Sequence, residues 1–503
     1  MDSYQEAEWR KAQAIDISCD LVAAAKYQLA FLALVDQYPC LYQGPAVERA
    51  IYRYEQCWLP LLANAEAEAE LAPPLDCEWV WHCHRLNPLQ YTNYCQKFYG
   101  RLLVLPTASL PAEKDSAMDS TAKQWEKAYP NEPFSLDMDA FSSTGNNRIS
   151  TPEHWLAETI SSQRSFFRQV SSPYMLEESF LRAVEERYRG YLYLTKESKS
   201  FHVPTYDIEL IWRSHQLNPL VYARDTVKLL GEVLQHHNTT STTTAKLPET
   251  SKQWENTFGR RYLRAGAMGM HTAQQPPYAK ESMQVMLEIV RARHLTKEKG
   301  SLFVRYHIET SGGVITMNSK EVSATSDPEW REAVSLECKG NGSGTLVSQL
   351  ESQFLVFEMR WRSHGLWGKM KGGSKLVGSV RIAWKDLLGS SSLSMEKWFP
   401  LEVRGELKDD RKPPGLHLAL SVTPPISMPL VENTRNGSKT CSIAEQEDSR
   451  AHVMGNSSSS ERIARRRRME REECSCRGQI CNGHSFEGVF ASAMSFRDAA
   501  WGV

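Results

Sequence analysis

The sequence predicts a multidomain α-then-β protein: a duplicated all-α helical domain, then an antiparallel β-sandwich, then a disordered tail. Three observations predict it. Asp76-Cys77-Glu78-Trp79-Val80-Trp81-His82-Cys83-His84-Arg85-Leu86-Asn87-Pro88-Leu89-Gln90-Tyr91 returns 131 residues later as Asp207-Ile208-Glu209-Leu210-Ile211-Trp212-Arg213-Ser214-His215-Gln216-Leu217-Asn218-Pro219-Leu220-Val221-Tyr222. After about residue 275 the apolar period shortens from three-to-four to runs of β-branched and aromatic residues. Beyond Pro424-Pro425 large apolar residues become scarce. The expected boundaries are 15–275 for the helical domain, with repeats of about 18–130 and 150–262, then 280–425 for the sandwich and 426–503 for the tail.

The echo reaches beyond the motif, to Lys97/Lys228 and Gly100/Gly231, and resumes as Lys123-Gln124-Trp125-Glu126 against Lys252-Gln253-Trp254-Glu255. What both copies keep is architectural, and what one copy alone keeps is not. In the first copy residues 18–36 form an amphipathic pattern through Leu21, Ala25, Leu29, Leu32 and Val35. Val47, Ile51, Tyr54, Trp58 and Leu61 predict a second helix, distorted or ended near Pro60. Ala63–Glu70 reads as a solvated helix end or linker. In the second copy helical patterns run through Trp155–Val170 and Leu176–Leu194. Polar residues 130–150 separate the copies, and residues 238–244 read as a Thr-rich loop.

Within the motif, Leu-Asn-Pro has a mechanical meaning. The residue before proline is pushed out of the helical region, asparagine caps helices, and proline suits the first helical position. Asp76–Arg85 is therefore expected as a helix, Asn87 and Asn218 as corners, and Pro88 and Pro219 as starts of the next helices. Asp76, His82, His84, Asp207 and His215 are the candidate structural or ligand residues. Residues two apart on a helix point to different sides, and His82 becomes Arg213 in the second copy, so a metal site through His82 and His84 is disfavoured. A hydrogen-bonded Asp/His pair is the favoured reading; a metal-dependent enzyme at His84 and His215 is the alternative. No metal, no cofactor and no catalytic residue is expected.

Composition excludes little. The chain has 503 residues, 41% apolar and 24% charged, with a formal net charge of -1. Nucleic acid or an anionic membrane must then be met by a local patch. Residues 1–16 lack the apolar core of a leader, and Leu21–Val35, broken by Lys26 and Gln28, is too short to span a bilayer. Cys77, Cys83 and Cys95 are replaced by Ile208, Ser214 and Thr226 in the second copy, which points to reduced thiols and a cytoplasmic location, with the nucleus as the alternative.

Paired Asp…Trp-(His)-x-His motifs ending in Asn-Pro and Tyr, followed by a β-sandwich, resemble the plant glycine-rich domain-containing proteins over roughly residues 15–425. The resemblance implies a non-enzymatic protein of plant development and of stress and hormone (auxin) responses, acting through protein partners. No glycine-rich segment is present, and residues after about 430 depart from that family's pattern.

The sandwich is similar to the C-two type. Its marks are Val285–Ile289, Leu302–Tyr306, Ser326–Trp330, Phe354–Glu358 and Leu376–Gly378. Calcium needs several carboxylates converging from two loops. Loop 294–301 offers only Glu298 and loop 361–375 offers none, so the sandwich is expected to act without calcium. That second loop carries Arg360, Trp361, Arg362, Trp367, Lys369, Lys371 and Lys375, candidates for docking an anionic membrane surface or an acidic protein. Lys299–Tyr306 approximates the aromatic octamer of RNA-recognition motifs, so Phe303 and Tyr306 are the residues of an alternative RNA-binding reading, with Arg465–Arg468 as a second basic element. Cys474, Cys476, Cys481 and His484 match no strong zinc spacing.

Overall fold

The computed structural model describes residues 3–65, 70–105, 111–138, 155–235, 240–268, 281–297, 299–310, 313–340, 345–363, 373–403 and 412–427. All of them belong to one compact unit, Met1–Leu430. The helical half starts with α1 (Ser3–Gln13) and α2 (Leu21–Val35). Then come α3 (Pro45–Arg53), one wide π turn (Tyr54–Trp58), α4 (Leu59–Asn64), α5 (Leu75–Arg85), α6 (Pro88–Tyr99) and α7 (Pro111–Ala128). The second copy supplies α8 (Trp155–Val170), α9 (Glu178–Ser198), α10 (Tyr206–Gln216), α11 (Pro219–Leu230) and α12 (Thr240–Phe258).

The expected corners form. Asn87 and Asn218 cap α6 and α11, accepting from the N–H of Gln90 and Val221, and Pro88 and Pro219 open those helices. Both end at a glycine in the left-handed region, Gly100 and Gly231, where a side chain would be strained. Near Pro60 the helix does not end. The π turn before it, with the Leu59 N–H bonded to the Tyr54 carbonyl, carries the chain past a residue that has no N–H to offer.

Two expectations need correction. The Thr-rich stretch is not wholly a loop, because α12 starts at Thr240. Its packed end, where Trp254 and Phe258 are fully buried, extends the helix back through residues of modest propensity. The polar stretch after Pro130 is more than a linker, since Glu132, Pro133 and Phe134 bond to a buried arginine. Residues 139–150 lie outside the described residues.

The copies interlock. α2 of the first copy packs on α9 and α10 of the second, while its counterpart α8 packs on α3 and α5 of the first, and α6 meets its own counterpart α11. Phe31 on α2 also lies against Trp79 and His82, with ring centroids 6.2 and 5.2 Å apart. Each copy's first helix therefore packs on helices of both copies, and neither motif helix is covered by its own copy alone. α1 closes the second copy, packing Trp9 edge-on against Trp254 and Phe258.

The sandwich has β1 (Glu281–Arg293), β2 (Ser301–Thr310), β3 (Gly313–Asn318), β4 (Val322–Ser323), β5 (Glu329–Lys339), β6 (Phe354–Arg362), β7 (Lys375–Ala383), β8 (Ser394–Pro400), β9 (Gly415–Val422) and β10 (Ile426–Ser427). One sheet is ordered β10-β1-β9-β8 with β5 also on β1; the other is β3-β2-β6-β7 with β4 on β2. Every pairing is antiparallel. Alternate residues Val285, Leu287 and Ile289 of β1 face Val304, Tyr306, Ile308 and Phe357 across a shared core. β10 extends the sandwich two residues into the region expected as tail; residues 428–503 lie outside the described residues.

Candidate functional site

Each repeated motif stands on a helix whose preceding neighbour presents Arg-Tyr. In the first copy α3 ends in Arg53, followed by Tyr54. The Arg53 guanidinium is wholly buried, donating from Nε to Asp76 Oδ2 at 2.7 Å, from Nη1 to Glu132 Oε1 at 2.6 Å and the Pro133 carbonyl, and from Nη2 to the Phe134 carbonyl at 2.6 Å. It lies 4.9 Å from the Trp125 ring centre. In the second copy Arg187 donates from Nε to Asp207 Oδ2 at 2.9 Å and from Nη2 to Thr205 Oγ1 at 3.0 Å, beside Trp254 and Tyr262.

The histidines follow the same plan. Tyr54 Oη lies 2.9 Å from His84 Nδ1, and Tyr188 Oη 3.0 Å from His215 Nδ1. Both rings are fully buried and edge-on to the motif tyrosines Tyr91 and Tyr222, with centroids 4.9 and 5.0 Å apart. Trp81 Nε1 donates to Tyr91 Oη, which donates to the Leu103 carbonyl; Trp212, Tyr222 and Leu234 repeat the relay. Thr121 and Thr250 accept from the N–H of Ala72 and Val203 in the same way.

The expected Asp/His pair does not form in either copy. Asp76 and Asp207 bind arginines, and His84 and His215 bind tyrosines. The physical reason is charge: a buried carboxylate gains more from a guanidinium than from a neutral imidazole. The arginines were missed because Arg53-Tyr54 and Arg187-Tyr188 are 134 residues apart, not the motif's 131, so a fixed-offset comparison passes over them. His82 is stacked on Trp79 at 5.6 Å, and burial pushes its pKa well below the usual histidine range. Among the described residues no group of three or more His, Cys, Asp or Glu side chains is placed to hold a metal.

Copies differ at His215. Its Nε2 lies 3.3 Å from Asp225, which also accepts from the Ser18 hydroxyl at 2.6 Å and the Ser18 N–H at 2.7 Å. Burial pushes Asp225 upward, but the bonds from His215 and Ser18 outweigh it and hold the carboxyl down at about 2. The first copy has Tyr94 at the matching place, edge-on to His84.

The sandwich brings its cations to one end. Register places Arg293 opposite Gly415, Arg291 opposite Glu329, Ser301 opposite Arg362 and Trp361 opposite Lys375. The described ends of the β1–β2, β4–β5, β6–β7 and β8–β9 connections therefore meet there. His294 ties three of them, its N–H donating to Asp327 Oδ1 and its Nδ1 lying 3.1 Å from the Pro413 carbonyl. Gly300 sits so close that a Cβ would fall 2.3 Å from the Arg362 carbonyl oxygen and 2.7 Å from Trp361 Nε1. Lys297, Lys299, Lys375 and Lys412 are exposed at this end.

Of the residues expected to dock an anionic partner, Lys375 is exposed, whereas Arg360 and Arg362 are engaged. Arg360 bonds Glu358 and Ser374, and Arg362 pairs with Glu321 and covers the Phe303 ring at 5.0 Å. Trp361 is half-buried beside Gly300; Trp367, Lys369 and Lys371 lie outside the described residues. Phe303 and Tyr306 are only 2% and 1% exposed, so neither ring offers the open face on which a base stacks, and the RNA reading loses its residues.

Both the duplication and the sandwich have counterparts among known families. The family model described as "Glycine-rich domain-containing protein-like" matches residues 2–93 and again 90–225. That described as "C2 domain of glycine-rich domain-containing protein" matches residues 279–424. The chain belongs to the glycine-rich domain-containing protein family. Glycine-rich domain-containing protein 1 of Arabidopsis thaliana is 35% identical over 490 residues, covering 87% of this chain and 58% of the relative. Glycine-rich domain-containing protein 2 of the same plant is 37% identical over 483 residues, covering 85% and 57%. The chain thus spans somewhat under three fifths of these curated relatives. Among solved structures, a C2 domain of plant Extended Synaptotagmin 1 is similar to it at 19% identity, covering 30% of this chain and 98% of that one, with a TM-score of 0.21. The sandwich of this family member is its C2 domain, and the duplicated helical half is the region its family model matches twice.

Proposed function

We propose that this family member is a non-enzymatic interaction protein of the cytoplasm whose C2 sandwich docks on an anionic lipid surface while the helical half serves as a protein-binding platform. One observation carries the docking: Lys297, Lys299, Lys375 and Lys412, from three converging loops, are all exposed at one end of the sandwich. Anionic lipid headgroups attract such lysines by about 1 kcal/mol each near the membrane surface. Asp327, the described carboxylate of the fourth loop, is occupied by the His294 N–H and the Ser326 hydroxyl, which supports docking by charge without calcium. The buried histidines, packed among aromatic rings, support a non-enzymatic reading of the helical half. The biological setting, plant development with stress and auxin responses, extends the family membership to this chain.

Vesicle sedimentation of the full chain tests the docking. Phosphatidylserine vesicles should capture it and phosphatidylcholine vesicles should not, with capture falling as salt rises. Replacing all four lysines by alanine should weaken capture by at least about ten-fold. Equal capture by neutral vesicles, or an unchanged quadruple variant, would sink the reading.

A further inference from the structure

The connector that ends the second copy reverses the charge of its counterpart. Where the first copy has Asn131-Glu132-Pro133-Phe134-Ser135, the second, 129 residues on, has Arg260-Arg261-Tyr262-Leu263-Arg264. In the first copy this stretch completes Arg53 with one carboxylate and two carbonyls. In the second, Arg187 Nη1 has no partner among the described residues, although Arg187 is only 1% exposed. Arg261, at the place of Glu132, turns away to Glu255, Glu288 and Glu396.

Two more cations beside it are incompletely met. The Arg260 guanidinium lies 4.4 Å from the Trp9 ring centre and its Nη2 reaches Glu6 at 3.4 Å, but its Nε has no hydrogen-bond partner among the described residues. Arg264 donates to a neutral oxygen, the Ser392 carbonyl at 3.2 Å. Burial first, then the nearby Arg187, pushes Arg264 down to about 9. A cavity of about 70 Å³ opens here between connector and sandwich, lined by Arg260, Arg264, Ser394, Ser421, Glu288 and Glu396 among others. That is several times the ~10–15 Å³ one water requires. Its two carboxylates are already paired with Arg261, and burial pushes Glu396 up to about 7.

We propose that this junction cavity binds a phosphate group, held by Arg260 and Arg264, with the charge of the nearby Arg187 adding to their field. Guanidinium forks match the oxygens of phosphate and form charge-assisted bonds with it. The site is separate from the lysine-rich loop end and does not depend on that reading.

Calorimetric titration of the full chain with inorganic phosphate, against chloride at matched ionic strength, is the test. The wild type should bind saturably. Arg264→Gln and Arg260→Gln, with circular dichroism confirming that each folds, should each bind about ten-fold more weakly. A folded wild type with no saturable phosphate binding, or two folded variants that bind as it does, overturns the proposal. Vesicles carrying a phosphoinositide separate the sources of the group. Arg264-dependent capture that phosphate competes away assigns the site to a lipid headgroup; phosphate binding without such capture assigns it to a free small molecule. An Arg264-independent capture, lost instead with the four loop lysines, alongside absent phosphate binding, overturns this site and leaves the docking reading standing.

Discussion

The two copies of the helical unit solve one problem twice, and they solve it differently. Each buries an arginine and an aspartate against a tryptophan, and each buries a histidine against a tyrosine. The first copy closes its arginine with groups of its own: Asp76, Glu132 and the carbonyls of Pro133 and Phe134. The second leaves Arg187 with Asp207, Thr205 and one donor that has no partner among the described residues. At the histidine the asymmetry runs the other way, since His215 gains the Asp225 carboxylate and, through it, the Ser18 backbone. Duplication preserved the pairs that hold helices together and released the groups around them.

The largest test of that comparison is removal of the aspartates. Asp207→Ala strands a buried guanidinium and should cost about 3–5 kcal/mol in urea unfolding. Asp76→Ala should cost less, because Glu132 and two carbonyls remain on Arg53. The reverse order would break the comparison.

Next in size are the tyrosines. Tyr54→Phe and Tyr188→Phe each strip the hydrogen bond from a buried imidazole and should cost about 1–3 kcal/mol. His215 is anchored also by Asp225, so proton resonances of its ring should shift further when Asp225→Ala is added to Tyr188→Phe than in Tyr188→Phe alone. Equal shifts would mean that Asp225 anchors nothing.

The smallest effect is the acid response of Asp225. Its folded pKa of about 2 lies below the ordinary aspartate value of 3.8, so its stabilisation is present above about pH 4 and is lost as pH falls through about 2. Melting curves of wild type and Asp225→Asn should therefore differ at neutral pH and converge near pH 2. The first copy, with Tyr94 at that position, should add nothing to this window. A constant difference across the whole range would show that the carboxylate's charge is irrelevant to the second copy.

Some of this was legible beforehand. The Asn-Pro corners follow from proline's effect on its neighbour and asparagine's capping bond, both local forces, and they form as expected. The strand runs were legible because burial on one sheet face imposes alternation. The Arg-Tyr dipeptide was not, because three extra residues between helix and motif in the first copy put it at an offset of 134, outside the 131 and 129 at which the repeat shows. The Thr240 helix start was hidden for another reason: Trp254 and Phe258, buried against α1 and α9, extend a helix that the threonines themselves do not favour.

By itself the sequence determined that the helical unit is built twice, where its corners lie, and that a β-sandwich follows. These depend on interactions spanning a few residues or on periodicity within one element. Only the tertiary structure decided which charge meets which: Asp76 with Arg53 and not His84, Arg261 with Glu396 across the junction, and α2 on the other copy's helices as well as its own. Coulomb attraction and burial act on distance in space, and the chain brings together residues that its order keeps far apart.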